Sequence, residues 1–326
     1  MGQLDNQLGI SDEVTYGTRV VPSYFNDFNN ESIARVQNNR VSAGLRKGQR
    51  VQRSDHQSPA AKGANGGVQF DLSAEGTSKW LKHLFGKTPA LSQPSVGTAP
   101  TAWDHTFTLG DGAGLAFTAQ VGRPGTAGAV KAFDYTGCKV ADGTITQGLD
   151  DYATLDVTVD AQAEDDTQAL VVAPTYPLAQ TLFHDGELGV TVNGTAFFSK
   201  SMSLKLDRLL ALDRFFQRTS TLKKEPLANA LAGLTGDLMG EFEDLTTCDL
   251  FKNGTILPIV FTWTGPVIAA AITYGLVITL PACRLDGPKP VTKGPGILDA
   301  DTPFTVLYNG AAEPITLKLT TTDATA

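Results

Sequence analysis

The chain says one thing twice. Its first half carries "GGVQFDL", a short helical stretch "SKWLKHLFG", a strand region "LAFTAQVG", and "YTGCKVADGTITQGLDDYATLDVTVDA". In the same order the second half carries "TGDLMGEFEDL", "CDLFKNG", "YGLVITL" and "LPACRLDGPKPVTKGPGILDADTPFTVLYNG". Gly66-Gly67 before Phe70-Asp71 is echoed by Gly240 before Phe242-Glu243, and Cys138-Lys139 by Cys283-Arg284. The spacing changes where the first half holds a Gly/Pro/Ser-rich insertion, residues 86–114. Repeats too few to stack as a solenoid mean two copies of one domain, packed together or approximating a symmetry element of an assembly. At 326 residues the chain suits two units better than one core.

Strand signals fill both halves. In "LGVTVNGTAFF", Val190 and Val192 alternate with polar residues up to Asn193-Gly194, a pair that supplies both positive-φ residues of a type I′ hairpin turn. Asn253-Gly254, Asn309-Gly310 and Asp142-Gly143 carry the same signal. Leu155, Val157 and Val159 alternate with Asp156, Thr158 and Asp160, and Ile315, Leu317 and Leu319 with Thr316, Lys318 and Thr320. Both are amphipathic strands with one wet face, and they close the two copies. Helices are predicted only over residues 75–85, with Trp80, Leu81, Leu84 and Phe85 on one stripe, and 225–234, with Leu227, Leu231 and Leu234 behind Pro226. The apolar window from Ile256 to Leu280, broken at Trp263-Thr264-Gly265-Pro266 and Tyr274-Gly275, reads as three strands rather than a membrane helix. "MGQLDNQLGISDEV" has neither a basic n-region nor an apolar h-region, so no secretory signal is expected.

Motifs for chemistry are sparse. Cys138, Cys248 and Cys283 fit neither a disulfide framework, a zinc site nor a redox pair, and read as small buried hydrophobes of a chain folded in a reducing cytosol. His56, His83, His105 and His184 lack partners at metal-ligand spacing; Trp103-Asp104-His105 is the nearest approach to a dyad and reads as a strand-edge surface group. "GDGAGLA" and "GPGILDAD" match no nucleotide or calcium loop. No enzyme, cofactor or metal is expected.

Charge is more informative. The chain is acidic, net −8, yet residues 32–54 carry Arg35, Arg40, Arg46, Lys47, Arg50 and Arg53 with no acid. Such a run can contact nucleic acid, but it has no interleaved aromatics and is turn-rich, which favours a loop that docks on an acidic protein surface. The second half has a matching cluster of Lys200, Lys205, Arg208, Arg214, Arg218, Lys223 and Lys224, mixed with Asp207 and Asp213.

The segments "DEVTYGTRVVPSYFNDFNNESIARVQNNRVSAGLRKGQR", "GGVQFDLSAEGTSKWLKHLFG", "GVTVNGTAFFSKSMSLKLDRLLALDRF" and "KEPLANALAGLTGDLMGEFEDL" resemble the major tail tube proteins of long-tailed, non-contractile (siphovirus-type) bacteriophages, from about Thr15 to Thr320. The resemblance implies a mostly β chain: two tandem β-sandwich domains with short helices, whose strands join those of neighbouring subunits into a closed barrel. With the ordered echo between the halves, it divides the chain into an N-terminal arm (1–14), a first domain (15–178), a second domain (179–323) and a C-terminal tail (324–326). It implies a structural virion protein, made in the bacterial cytoplasm and polymerised as stacked rings into the conduit for DNA. Its partners would be itself, tape-measure and tail-terminator or tail-tip proteins, and transiting duplex DNA, with no membrane. The family's usual ring holds six single domains, so two per chain implies trimeric, pseudo-hexameric rings; a hexamer with one copy projecting outward is the alternative. Arg35, Arg40, Arg46, Lys47, Arg50 and Arg53 are the expected contacts between subunits or rings.

Two other classes stay open. A carbohydrate-binding or adhesin-type β-sandwich of a virion needs an aromatic platform, and Trp80, Trp103 and Trp263 do not cluster in sequence. A hydrolase on a β scaffold needs a nucleophile-base pair, which the sequence does not display.

Overall fold

The computed structural model describes residues 5–94, 101–177, 179–217, 219–287, 290, 292 and 294–326. The first half contains β1 (Gln7–Glu13), β2 (Tyr24–Asn26), β3 (Asn30–Glu31), β4 (Ala34–Val41), β5 (Gln57–Asp71), α1 (Ser78–Phe85), β6 (Ala90–Ser92), β7 (Trp103–Thr108), β8 (Ala116–Pro124), β9 (Val130–Gln147), β10 (Thr154–Ala161) and β11 (Ala163–Asp165). The second contains β12 (Leu188–Val192), β13 (Thr195–Ala196), β14 (Ser199–Asp207), β15 (Gly233–Glu241), α2 (Thr246–Lys252), β16 (Ile256–Ala269), β17 (Ile272–Leu285), β18 (Asp299–Val306) and β19 (Thr316–Thr321). The chain is mostly β and its sheet is antiparallel throughout, not closed into a barrel.

One layer runs β4–β5–β10–β9–β14–β15–β18–β17. The other is built in two parts, β2–β1–β8–β9–β11 and β13–β12–β16–β17–β19–β7–β6. The long strands β9 and β17 cross from layer to layer. In β9 the corner is Gly137, at φ 61° beside the register shift opposite β8; its N–H donates to Glu13 Oε1 at 2.8 Å. A side chain there would meet the ring of Tyr16 and the stem of Gln162, so only glycine makes this corner without strain. The core lies between the layers, where Val68, Phe70, Leu155, Val157, Met202, Leu204, Leu238 and Phe304 of the first meet Phe117, Phe261, Trp263 and Leu276 of the second.

The ladders of the two halves correspond. β1–β2, β1–β8, β4–β5, β5–β10, β10–β9, β8–β9 and β11–β9 recur as β12–β13, β12–β16, β14–β15, β15–β18, β18–β17, β16–β17 and β19–β17. α1 and α2 each follow the end of the matching strand, β5 or β15. Cys138 and Cys283 face Phe117 and Leu257 on matching strands, and each thiol points to the carbonyl three residues back, Tyr135 or Leu280. The register shows that the partner of Gly66 is Gly236, not Gly240. A Cβ on Gly66 would lie 2.3 Å from the Ser32 carbonyl oxygen, and one on Gly236 2.6 Å from that of Ser203. Gly66→Val and Gly236→Val should therefore each lower unfolding free energy by about 1–3 kcal/mol in urea titrations, by overpacking. Gly148→Ala, which meets nothing within 4 Å, should be near neutral.

Several local expectations are corrected. Residues 7–13 are not a free arm: Leu8 and Ile10 are buried and β1 pairs β2 and β8. The helix expected over 225–234 is absent, because Leu227 and Leu231 are exposed while the backbone there bonds to the neighbouring loop (Ala211 N to Leu227 O, 2.8 Å). The second helix is α2, whose polar "TTCDLFK" shows no apolar stripe and buries only Cys248. Asn193-Gly194 turns between β12 and β13 with φ of 52° and 78°. Asp142-Gly143, however, sits inside β9, and Gly254 ends α2. The window from Ile256 is one hairpin of two long strands, with Gly265-Pro266 absorbed as an irregularity of β16. The counterpart of β10 is β18, and β19 matches β11.

The insertion at 86–114 is not simply a surface loop. Its β7 pairs β19 over Trp103–Thr108 and so extends the second half's outer sheet with a strand of the first. Asp104 and His105 are buried on opposite faces of β7 and form no dyad. Asp104 accepts from Thr320 Oγ1 at 2.6 Å, while His105 bridges Ser78 Oγ and the Asp323 carbonyl, both at 2.8 Å. Together these contacts clasp the two halves.

Candidate functional site

The layer of eight strands has one buried and one polar face, dictated by period-two alternation. Across the ladder, Gln69, Asp156, Thr144, Lys205, Thr235 and Thr305 lie side by side on the polar face. On the same face are the carboxylates Asp71, Asp142, Asp207, Asp237, Glu241, Asp299 and Asp301 beside Asp156, against Lys200 and Lys205, and at the β17 edge the pair Arg284 and Asp286, with Arg284 opposite Thr305. Short polar bonds tie the surface together: Asn30 Nδ2 to Gln69 Oε1 at 2.7 Å, Gln69 Nε2 to Asp156 Oδ2 at 3.1 Å, and Thr158 Oγ1 to Asp142 Oδ1 at 3.1 Å. Lys200 Nζ sits 2.8 Å from Asp299 and 3.0 Å from Glu241. Burial, and then the like charge of Asp301, push the Asp237 carboxyl above its ordinary value. The face thus presents a continuous, negatively charged surface with few cations.

The six basic candidates fall on one projection. β4 and β5 remain paired past the last contact of β5 with β10 at Ala64, and Val41 still faces Gln57. Arg35 and Arg40 are on β4, Arg46, Lys47 and Arg50 at the tip, and Arg53 at the return, where its Nε donates to Asp55 Oδ1 at 2.7 Å. Arg35 donates to Gln37 Oε1 at 2.8 Å. Among the described residues no carboxylate comes within ion-pair distance of Arg35, Arg40, Arg46, Lys47 or Arg50.

The second basic cluster divides: Lys200 and Lys205 lie on β14 within the polar face, whereas Arg208, Lys223 and Lys224 belong to a segment that is already docked. Within 208–232, the counterpart of that projection, the described residues 219–225 fold onto the first half of the chain. Lys223 Nζ meets Asp160 Oδ1 at 2.5 Å with both side chains buried, and Glu225 Oε1 meets the buried Lys139 Nζ at 2.5 Å. Burial pushes the Asp160 carboxyl up and the Lys139 ammonium down, opposed in each case by the partner charge. Arg208 donates to the His83 carbonyl at 3.1 Å, at the end of α1, and Lys224 lies 4.9 Å from the Phe216 ring. Arg218 lies outside the described residues. The carboxylate that receives Lys223 comes from a distant strand, so only the alternation of Asp156, Thr158 and Asp160 hinted at it.

The seam between the halves is a regular ladder, Met202–Asp207 of β14 against Gln147–Asp142 of β9. β14 is therefore paired on both edges. Its counterpart strand, β4, is paired only with β5 among the described residues, and its eight residues are all exposed.

No curated protein matches the chain. The model of one family, described as phage tail tube protein, matches residues 3–306. A match over nearly the whole length, on a mostly β chain with two short helices, leaves one conclusion: the chain belongs to the phage tail tube protein family.

Proposed function

We propose that this protein is a duplicated tube subunit: two tandem domains, about 15–178 and 179–323 with β1 added to the first, that close a ring with two further chains. The observation that carries the reading is the β9–β14 ladder, which sets the strands of one half beside those of the other as neighbours in a ring would be set. Each half contributes four strands to that layer, so three chains supply about 24. At a spacing of about 4.8 Å and a tilt near 45°, such a barrel has a backbone diameter of roughly 50 Å, wide enough for duplex DNA. The edge of β4 is where the next chain joins, since an unpaired edge strand is a template for pairing. The polar face then lines the bore. Its carboxylates repel phosphates, so the duplex gains no counterion-release affinity for the wall and slides.

Rings stack into the tail tube of the virion, the subunit being made in the host cytoplasm and meeting tape-measure and terminator proteins at assembly. The β7–β19 clasp occurs within a chain and among the described residues of the second half β7 has no counterpart strand, so the ring alternates clasped and unclasped seams. Negative-stain microscopy of the purified chain tests the reading: rings or tubes are expected, and uniform single particles at every concentration and salt would exclude it.

A further inference from the structure

On the reading of the chain as a tube subunit, we propose that the groove between the β12–β13 hairpin and α2 is the receptor for the basic β4–β5 arm of a second copy of this chain, in the next ring. The two surfaces lie at opposite ends of the same layer. The arm leaves the end where Asp160 faces Asn65 and Asp207 faces Gly233, while the groove opens at the other end, where Glu241 faces Asp299. Stacked end to end in one orientation, copies bring arm to groove. The contact is heterologous and repeats without closing, which is the geometry that builds a filament.

Chemistry matches as well as position. The groove is a cavity of ≈ 260 Å³ lined by Phe197, Phe198, Phe242 and Leu250, with Glu243 and Asp244 beside them. Phe198 is 81% exposed and shares the groove with Phe197, Phe242 and Leu250, a contiguous apolar patch rather than a lone side chain. Among the described residues no cation lies within ion-pair distance of Glu243 or Asp244. The arm carries the complement: Leu45 is 100% and Val51 80% exposed, flanked by Arg46, Lys47 and Arg50. An apolar anchor inside a ring of opposite charges is how specific protein contacts are built. The chain also supplies a precedent, because its other basic arm is seated on the first half through the Lys223–Asp160 pair and, with the charges exchanged, through Glu225 on Lys139.

Disulfide trapping tests this with the full chain, whose native cysteines are all buried. Leu45→Cys and Phe198→Cys variants, mixed and oxidised, should yield a covalent heterodimer. The yield should exceed that of Leu45→Cys mixed with Val172→Cys roughly tenfold or more, since a held contact raises effective concentration. Glu243→Lys with Asp244→Lys should abolish the link, and pairing that variant with an arm carrying Arg46→Glu, Lys47→Glu and Arg50→Glu should restore it. No selective link, or a link indifferent to these charges, overturns the proposal. So does an arm that instead retards duplex DNA. Tubes that form without the link sink the docking alone, whereas a selective link without rings or tubes supports the docking and contradicts the tube reading.

Discussion

Reversing Arg46, Lys47 and Arg50 to glutamate should abolish tube assembly while leaving the subunit folded. None of the three touches a carboxylate of its own chain among the described residues, and the arm projects past the last β5–β10 pair, so the core has no stake in them. Thermal unfolding of the variant should follow that of the native chain closely. Assembly should not. Each exposed pair contributes about 0.2–1 kcal/mol and turns repulsive on reversal, so three together cost about 2–4 kcal/mol per chain. That raises the critical concentration roughly 30- to 1,000-fold, measurable by sedimentation. High salt should weaken native stacking and relieve part of the defect, because exposed charges are screened. Native-like tubes from the variant would remove the arm from the interface.

Asp142→Lys, Asp156→Lys and Asp237→Lys together should turn a sliding bore into a binding one. The three sit on β9, β10 and β15, on one face of the layer. Six carboxylates of that face, Asp286 included, would remain against the native Lys200, Lys205 and Arg284 and three new lysines, leaving it balanced instead of acidic. Native tubes should not retain duplex DNA at any salt. Those of the variant should, with log affinity falling against log salt at a slope of about −3 or steeper for three phosphates neutralised. In particles the same change should slow or arrest DNA ejection. Retention unchanged by the three lysines would place this face away from the DNA.

How much of this could be read in the sequence depends on how local each signal is. The buried cysteines, the Asn193-Gly194 hairpin, the alternation of Leu155, Val157 and Val159, and the apolar stripe of α1 are local patterns that tertiary packing respects. α2 was illegible because its burial is slight and its residues polar. The leucines of 225–234 mislead for the converse reason: helical spacing on a segment whose backbone bonds elsewhere. Register is the least local property. Gly66 and Gly236 correspond through the carbonyls that crowd them, Ser32 and Ser203, and no glycine count along the chain reveals which carbonyl faces which glycine. The candidate site divides the same way. A run of six cations is visible in sequence, whereas a face assembled from one or two carboxylates on each of β5, β9, β10, β14, β15 and β18 exists only once the ladder aligns them. The clasp of β7 on β19 joins residues more than 200 apart in sequence, so no local pattern in the insertion announces it.

The central claim is that one chain supplies two neighbouring positions of a ring, and a helical reconstruction of the assembled tube tests it most directly. Three chains per ring are expected, with both halves in the barrel, β9–β14 seams alternating with seams at β4, and three copies of the β7–β19 clasp on the outside. Six chains per ring, or a barrel built from the strands of only one half, would contradict it.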